Sequence, residues 1–91
     1  MRYLKEEIMR LDPVESSMLA AVGYDPALQA LVVLFNSGRA YQYLRVPIET
    51  YQNLMEAGSK GRFMLDHVID HYPYAVFKGW QNLRIETELR R

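Results

Sequence analysis

Three stretches of the chain combine high apolar content with turn residues at their ends, a pattern typical of β-strands. The first covers 17–24 and ends at Asp25-Pro26, and the second, over 28–35, is almost continuously apolar. The β-branched and aromatic residues of the second stretch favour a buried central strand. Asn36-Ser37-Gly38 then predicts a tight turn into a third strand over 37–47. Three consecutive strands predict an antiparallel meander.

After Pro47 the apolar positions change to helical spacing. A first helical face is formed by Ile48, Tyr51, Leu54 and Met55. Gly58 lies where helices commonly stop, and Ser59 can cap a second helix that Pro73 would end. The predicted core-facing stripe of the second helix is Leu65, Val68, Ile69 and Tyr72. The predicted fold is therefore α+β, a three-stranded antiparallel meander followed by two helices packed on one face (β-β-β-α-α), with short extensions at both ends.

The two extensions have weaker patterns. Residues 1–13 are predicted to be an N-terminal extension, in which Leu4, Ile8 and Leu11 have the spacing of a short helix. Residues 14–72 are predicted to form the domain itself, and 73–91 an aromatic and then charged C-terminal extension. Within this last segment, 74–77 is a candidate for one more short strand.

Composition narrows the classes of function. The 91 residues allow one domain, and eleven Lys and Arg balance eleven Asp and Glu, so nucleic-acid binding would need a local basic patch. No cysteine is present, which excludes disulfides and fits a reducing compartment. The chain contains no run of about 18 apolar residues, the length needed to span a bilayer. Its first residues also lack the apolar run of a signal peptide. We therefore expect a cytoplasmic protein with no membrane partner.

The third strand carries a candidate binding row. Alternation along a strand places Arg39, Tyr41, Tyr43 and Arg45 on one side. The tyrosines could stack on bases while the arginines meet phosphates, as in single-strand binders. Alternatively, both tyrosines pack under the helices. Gln42 argues against full burial of the opposite face, and this favours the core interpretation for the tyrosines.

A second basic stretch begins at the predicted second helix. Ser59, Lys60, Gly61 and Arg62 could bind an anion, because a helix start exposes backbone N–H groups and glycine permits close approach. The simpler interpretation is a serine cap beside two solvated basic residues. Together with Arg39 and Arg45, the two cations give residues 36–62 a local positive excess over Glu49 and Glu56.

Metal and catalytic chemistry find little support in the sequence. His67 and His71 are four residues apart, which on a helix gives at most a two-ligand site, so they are only weak metal candidates. Ser16-Ser17 lie in no Gly-x-Ser-x-Gly context. We expect no cofactor and no enzymatic activity.

The C-terminal extension contains aromatic residues that no predicted element covers. Tyr74, Phe77 and Trp80 could fold back on the open face of the sheet or pack against a second copy of the chain. Because small domains often gain stability by association, a homo-oligomer is slightly favoured.

A set of residues from Val14 to Tyr72 has a recognisable order and spacing. Its members are Val14, Ser16-Ser17, Gly23-Tyr24-Asp25, Leu31, Phe35, Gly38, Tyr41-x-Tyr43, Val46-Pro47, Tyr51, Ala57-x-Ser59-x-Gly61, Phe63 and Tyr72. This set resembles the KTSC domain, which is named for the C-terminal extension of some lysyl-tRNA synthetases and also occurs as small bacterial proteins. The synthetase attachment implies RNA as a partner by context only. We therefore expect a small binding module, with RNA as the leading partner and protein interaction or homo-oligomerisation as the alternative.

Overall fold

A computed structural model of the chain describes residues 9–77 and 83–85. The elements in chain order are β1 (Met9–Pro13), β2 (Leu19–Asp25), β3 (Ala30–Phe35), β4 (Ala40–Tyr43), α1 (Ile48–Glu56), α2 (Lys60–Phe63), a π-helical segment (Met64–Val68), β5 (Tyr74–Val76) and β6 (Leu83–Ile85). No helix in these ranges is long and apolar enough to cross a membrane.

The strands form one sheet in the order β5-β4-β3-β2-β1-β6. Each of the neighbouring pairs from β5 through to β1 is antiparallel, and β6 pairs parallel to β1. The predicted three-stranded meander is therefore wrong as a description of the fold, because it forms only the centre of a wider sheet. The helix predicted for the first dozen residues is wrong over 9–12, which belong to β1; residues 1–8 lie outside the described part. Pairing of β1 with β2, at Asp12 opposite Val22, is a non-local contact that helical spacing does not reveal.

A β-bulge in β2 determines which side chains enter the main core. Leu19 lies opposite Phe35, while Ala21 lies opposite Leu34, so Ala20 is an extra residue on this strand. The bulge lets Leu19 and Val22 face the same side although they are three residues apart. The helix-side core comprises Leu19, Val22, Leu31, Val33, Tyr43, Val46, Leu54, Met64 and Val68.

The opposite face of the sheet is also apolar. Its buried cluster comprises Leu11, Ala21, Val32, Ala40 and Phe77. Because both faces of β3 are buried, its residues are apolar without alternation. Phe77 follows β5 and packs on this face, so this part of the aromatic extension folds back on the sheet. Trp80 lies outside the described residues.

The second helix ends earlier than predicted. Its last turn is a π-turn, in which the N–H of Ile69 donates to the carbonyl of Met64 at 2.8 Å, and Ile69 itself is extended. The wider turn rotates the buried face, so that Met64 and Val68 are buried whereas Leu65 is 52% exposed. The predicted position of Leu65 in the core-facing stripe was therefore wrong. Asp70 then adopts a φ of 70° and turns the chain toward β5.

Candidate functional site: an aromatic pocket

An open pocket of about 540 Å³ lies on the helix side of the sheet, near the β4–β5 edge. This volume is within the range of roughly 300–1,000 Å³ that is typical of small-ligand sites. Its lining residues are Ser17, Met18, Phe35, Asn36, Ser37, Arg39, Tyr41, Tyr43, Ile69, Asp70 and Tyr74. The pocket thus combines four aromatic side chains with a few polar and charged groups.

Strand register brings the aromatic rings together. Tyr43 lies opposite Tyr74 across β4 and β5, and Tyr41 is two residues from Tyr43 on the same side of the sheet. The ring centroids of Tyr41 and Tyr74 are 5.5 Å apart at 81°, and those of Phe35 and Tyr41 are 5.7 Å apart at 69°. The ring centroids of Tyr43 and Tyr74 are 6.0 Å apart. Edge-to-face contacts of this kind are favourable and hold the rings in fixed orientations.

Hydrogen bonds from one asparagine hold the loop before β2 against the pocket. The Asn36 side-chain amide donates to the Ser16 carbonyl at 3.0 Å, and the Asn36 backbone N–H donates to the Met18 carbonyl at 2.9 Å. The Ser16 hydroxyl accepts from the N–H groups of Met18 and Leu19, which fixes the turn itself. This wall of the pocket is therefore positioned by the β3–β4 connection.

The β3–β4 turn also places the only cation among the residues that line the pocket. Gly38 has a φ of +99°, and its N–H donates to the Phe35 carbonyl at 2.8 Å. The tight turn leaves Arg39 exposed at the pocket, where Asp70 supplies a negative charge. No ion pair of Arg39 occurs within the ranges that the structure describes. The site therefore has one cation and one anion beside an aromatic surface.

Tyr43 is a neutral hydroxyl under physiological conditions. Burial raises its pKa to about 12, and the neighbouring Tyr41, Tyr74 and Asp70 add to the effect. Its side chain is only 4% exposed, whereas Tyr41 is partly exposed. The core interpretation thus holds for Tyr43, and Tyr41 combines core packing with a place in the pocket wall.

The predicted arginine–tyrosine row is only partly assembled. Arg39, Tyr41 and Tyr43 all line the pocket. Arg45 does not, because β4 ends at Tyr43 and Arg45 has a φ of 58°, which breaks the alternation on which the prediction depended. Its side chain is exposed away from the pocket-lining set.

The second basic stretch has structural partners. The Ser59 hydroxyl accepts from the Arg62 N–H at 3.2 Å and caps α2, as the sequence predicted. The Lys60 ammonium donates to the Ala57 carbonyl at 3.1 Å, and the Arg62 guanidinium pairs with Asp66 at 3.3 Å.

Gly61 in the same stretch permits close packing. A Cβ at this position would lie 3.2 Å from the Cβ of Met18, so the glycine lets α2 approach the loop before β2. None of the four residues from Ser59 to Arg62 lines the aromatic pocket. The two predicted basic groups therefore do not share one site.

The weak metal candidates are separated by the end of the helix. His67 lies in the π-helical segment and its ring is 4.6 Å from that of Phe63, whereas His71 follows the turn at Asp70. The four-residue helical spacing therefore does not apply to this pair. Among the described side chains, no group of three potential metal ligands occurs.

Sequence reasoning missed several residues of the pocket. Phe35 was predicted only as an apolar motif position, and Asn36 only as a turn residue. Tyr74 was predicted as an uncovered aromatic residue that could fold back on the sheet or pack against a second copy, and not as part of this site. The candidate strand over 74–77 was the available signal for Tyr74, because a strand next to β4 would bring it beside Tyr43. The pocket role of Asp70 had no signal, since it depends on the early end of the helix.

Comparison with known proteins identifies the family. The KTSC domain matches residues 15–72. An uncharacterized protein from Stutzerimonas stutzeri is 45% identical over 67 residues, which are 72% of this chain and 94% of that protein. A protein from Tsukamurella paurometabola is 48% identical over 54 residues, which are 59% of this chain and 81% of its own length.

Two further matches bear on the architecture and its context. A lysine–tRNA ligase from Nostoc sp. is 33% identical over 60 residues, which are 66% of this chain but only 11% of the ligase. The crystal structure of a KTSC domain protein from Yersinia pestis is 37% identical, covers 77% of this chain and 99% of its own, and superposes with a TM-score of 0.75. The chain belongs to the KTSC domain family.

Proposed function

We propose that this KTSC domain is a non-enzymatic module that binds single-stranded RNA by taking one unstacked base into the aromatic pocket. The observation that carries the proposal is the set of tyrosine rings around a pocket with a cation at its side. Bases of single-stranded RNA bind proteins by stacking on aromatic side chains, and arginine contacts the adjacent phosphate. Tyr41 and Tyr74 would contact the base, and Arg39 a phosphate.

The family context agrees with this partner. One relative of the domain is part of a lysine–tRNA ligase, whose name specifies an RNA. A cytoplasmic location belongs to the same proposal, since the chain has no cysteine and therefore needs no oxidising compartment for disulfides. A second candidate function, self-association, is favoured by a different feature, the exposed outer edge of β5.

Two matched variants test the pocket. Both Arg39 and Arg62 are exposed, but only Arg39 lines the pocket. We expect Arg39→Ala to weaken binding of a short labelled RNA by about fivefold, which is about 1 kcal/mol. Arg62→Ala should leave affinity within about twofold. Fluorescence anisotropy titration with single-stranded oligonucleotides measures both, and thermal unfolding checks that each variant is folded.

The stacking surface is tested separately. Tyr41→Ala should weaken binding by about 5- to 150-fold, because stacking on an aromatic side chain contributes about 1–3 kcal/mol per base. A wild-type chain that binds no single-stranded RNA at concentrations up to about 1 mM would contradict the proposal. Equal losses in Arg39→Ala and Arg62→Ala would show that RNA binds outside the pocket.

A further inference from the structure

Among the described residues, none pairs with the outward backbone groups of β5 at the outer edge of the sheet. In the described part of the chain, β5 is the terminal strand on this side. Its inward hydrogen bonds include Phe77 N–H to the Ala40 carbonyl at 2.9 Å and Leu44 N–H to the Pro73 carbonyl at 2.8 Å. Because hydrogen bonding alternates along an antiparallel strand, Tyr74 and Val76 direct their N–H and C=O groups outward.

The side chains on this edge are apolar and exposed. Tyr74 is 60% exposed and Val76 is 53% exposed. Register with Tyr43 and Tyr41 places both on the helix side of the sheet. The three residues of β5 contain no charge and no proline, the usual features that prevent a sheet edge from pairing with another chain.

We propose that β5 pairs with β5 of a second copy of this chain, antiparallel and around a two-fold axis that passes between the two Ala75 residues. Only in this register do Tyr74 and the partner's Val76 form a hydrogen-bonded pair while Val76 and the partner's Tyr74 form a second one. Each pair sets an aromatic ring against a β-branched side chain, a favourable cross-strand combination. The segment is therefore complementary to itself.

Charge and symmetry are compatible with this occupant. Eleven basic and eleven acidic residues leave the chain without net charge, so two copies approach without long-range repulsion. The axis is normal to the sheet and keeps both helix layers on one side of a continuous sheet. A three-residue strand buries little area, so the dimer is weak and forms with increasing concentration.

The pairing also extends the aromatic pocket. Tyr74 lines the pocket, and the partner's Val76 would lie directly beside it. The proposal rests on the second candidate function, self-association, and does not depend on RNA binding, because the outward backbone groups of β5 are present whether or not the pocket is occupied.

A single cysteine tests the register. The chain has no cysteine, and Ala75 is exposed. In the proposed dimer the two Ala75 residues face each other at a non-hydrogen-bonded position, where Cα atoms are about 4.5 Å apart and within disulfide reach. We expect Ala75→Cys to form a disulfide-linked dimer at least about tenfold faster than Ala27→Cys under the same mild oxidant, since Ala27 lies in the exposed β2–β3 turn.

Two further measurements complete the test. Adding Val76→Lys to Ala75→Cys should reduce the rate to that of Ala27→Cys, because a lysine disfavours edge pairing. Sedimentation velocity of the unmodified full chain should show a dimer fraction that rises with concentration. Equal oxidation rates for the two single-cysteine variants, or a strict monomer at about 1 mM, would overturn the proposal. Loss of RNA binding alone would not.

Discussion

The buried hydroxyl of Tyr43 predicts a loss of stability at alkaline pH. Its pKa is raised from 10.0 to about 12 in the folded chain, chiefly by burial. Between these values the unfolded chain has released the proton and the folded chain retains it. The unfolded state then binds fewer protons, so stability falls as pH rises. The contribution is fully present below about pH 10 and is lost by about pH 12.

The magnitude follows from the pKa difference. A difference of about 2 between folded and unfolded chains corresponds to about 2.7 kcal/mol, with a slope of about 1.4 kcal/mol per pH unit. Burial also raises the pKa values of Tyr24 and Tyr51, so the wild-type chain loses more stability at alkaline pH than the Tyr43 contribution alone. A Tyr43→Phe variant removes the Tyr43 part alone.

The assay is urea unfolding of the wild type and of Tyr43→Phe between about pH 8 and 12.5. The difference in free energy of unfolding should stay constant below about pH 10 and then shift in favour of Tyr43→Phe by about 2–3 kcal/mol. Parallel curves for the two proteins throughout this range would refute the reasoning, because Tyr43 would then ionise equally in both states.

Three further predictions concern the pocket and the backbone. With one phosphate contact, RNA affinity should fall only about 2.5-fold between about 50 and 200 mM salt, whereas four contacts would give about 50-fold; a steep slope measured by anisotropy would contradict the single-cation site. Arg45→Gly should raise the free energy of unfolding by about 0.5–1 kcal/mol, because glycine removes the cost of the positive φ. An unchanged or lower free energy of unfolding in urea would contradict the positive φ at Arg45. Gly38→Ala should lower the free energy of unfolding by about 1 kcal/mol, because alanine disfavours the positive φ at this position, although no atom lies within 4 Å of the added Cβ. An unchanged urea midpoint would contradict this expectation.

Local signals in the sequence predicted the centre of the fold. The apolar run before Asn36 and the glycine at position 38 define the β3–β4 hairpin, and Ser59 caps α2 as expected. These features depend on neighbouring residues, for which propensity and turn chemistry are informative. The tyrosines of β4 were also placed correctly on the helix side, although the opposite face proved to be apolar as well.

Non-local features were not predictable in the same way. Strands β1 and β6 pair in parallel although more than 60 residues separate them, and no local pattern specifies such a contact. A positive φ is uncommon at any residue other than glycine, even at aspartate, where it is enriched. The sequence therefore did not predict the end of β4 before Arg45 or the turn at Asp70. The pocket depends on the turn at Asp70, because Tyr74 reaches the pocket only through β5.

We propose above all that the aromatic pocket is the surface that binds RNA. NMR of the wild-type chain with labelled tyrosine rings tests it most directly during titration with a single-stranded RNA. Tyr24 and Tyr51, which stack on each other at 4.9 Å and do not line the pocket, serve as internal controls. We predict that resonances of Tyr41 and Tyr74 shift with RNA concentration while those of the control pair stay unchanged. Shifts confined to the control pair, or none at saturating RNA, would contradict the claim.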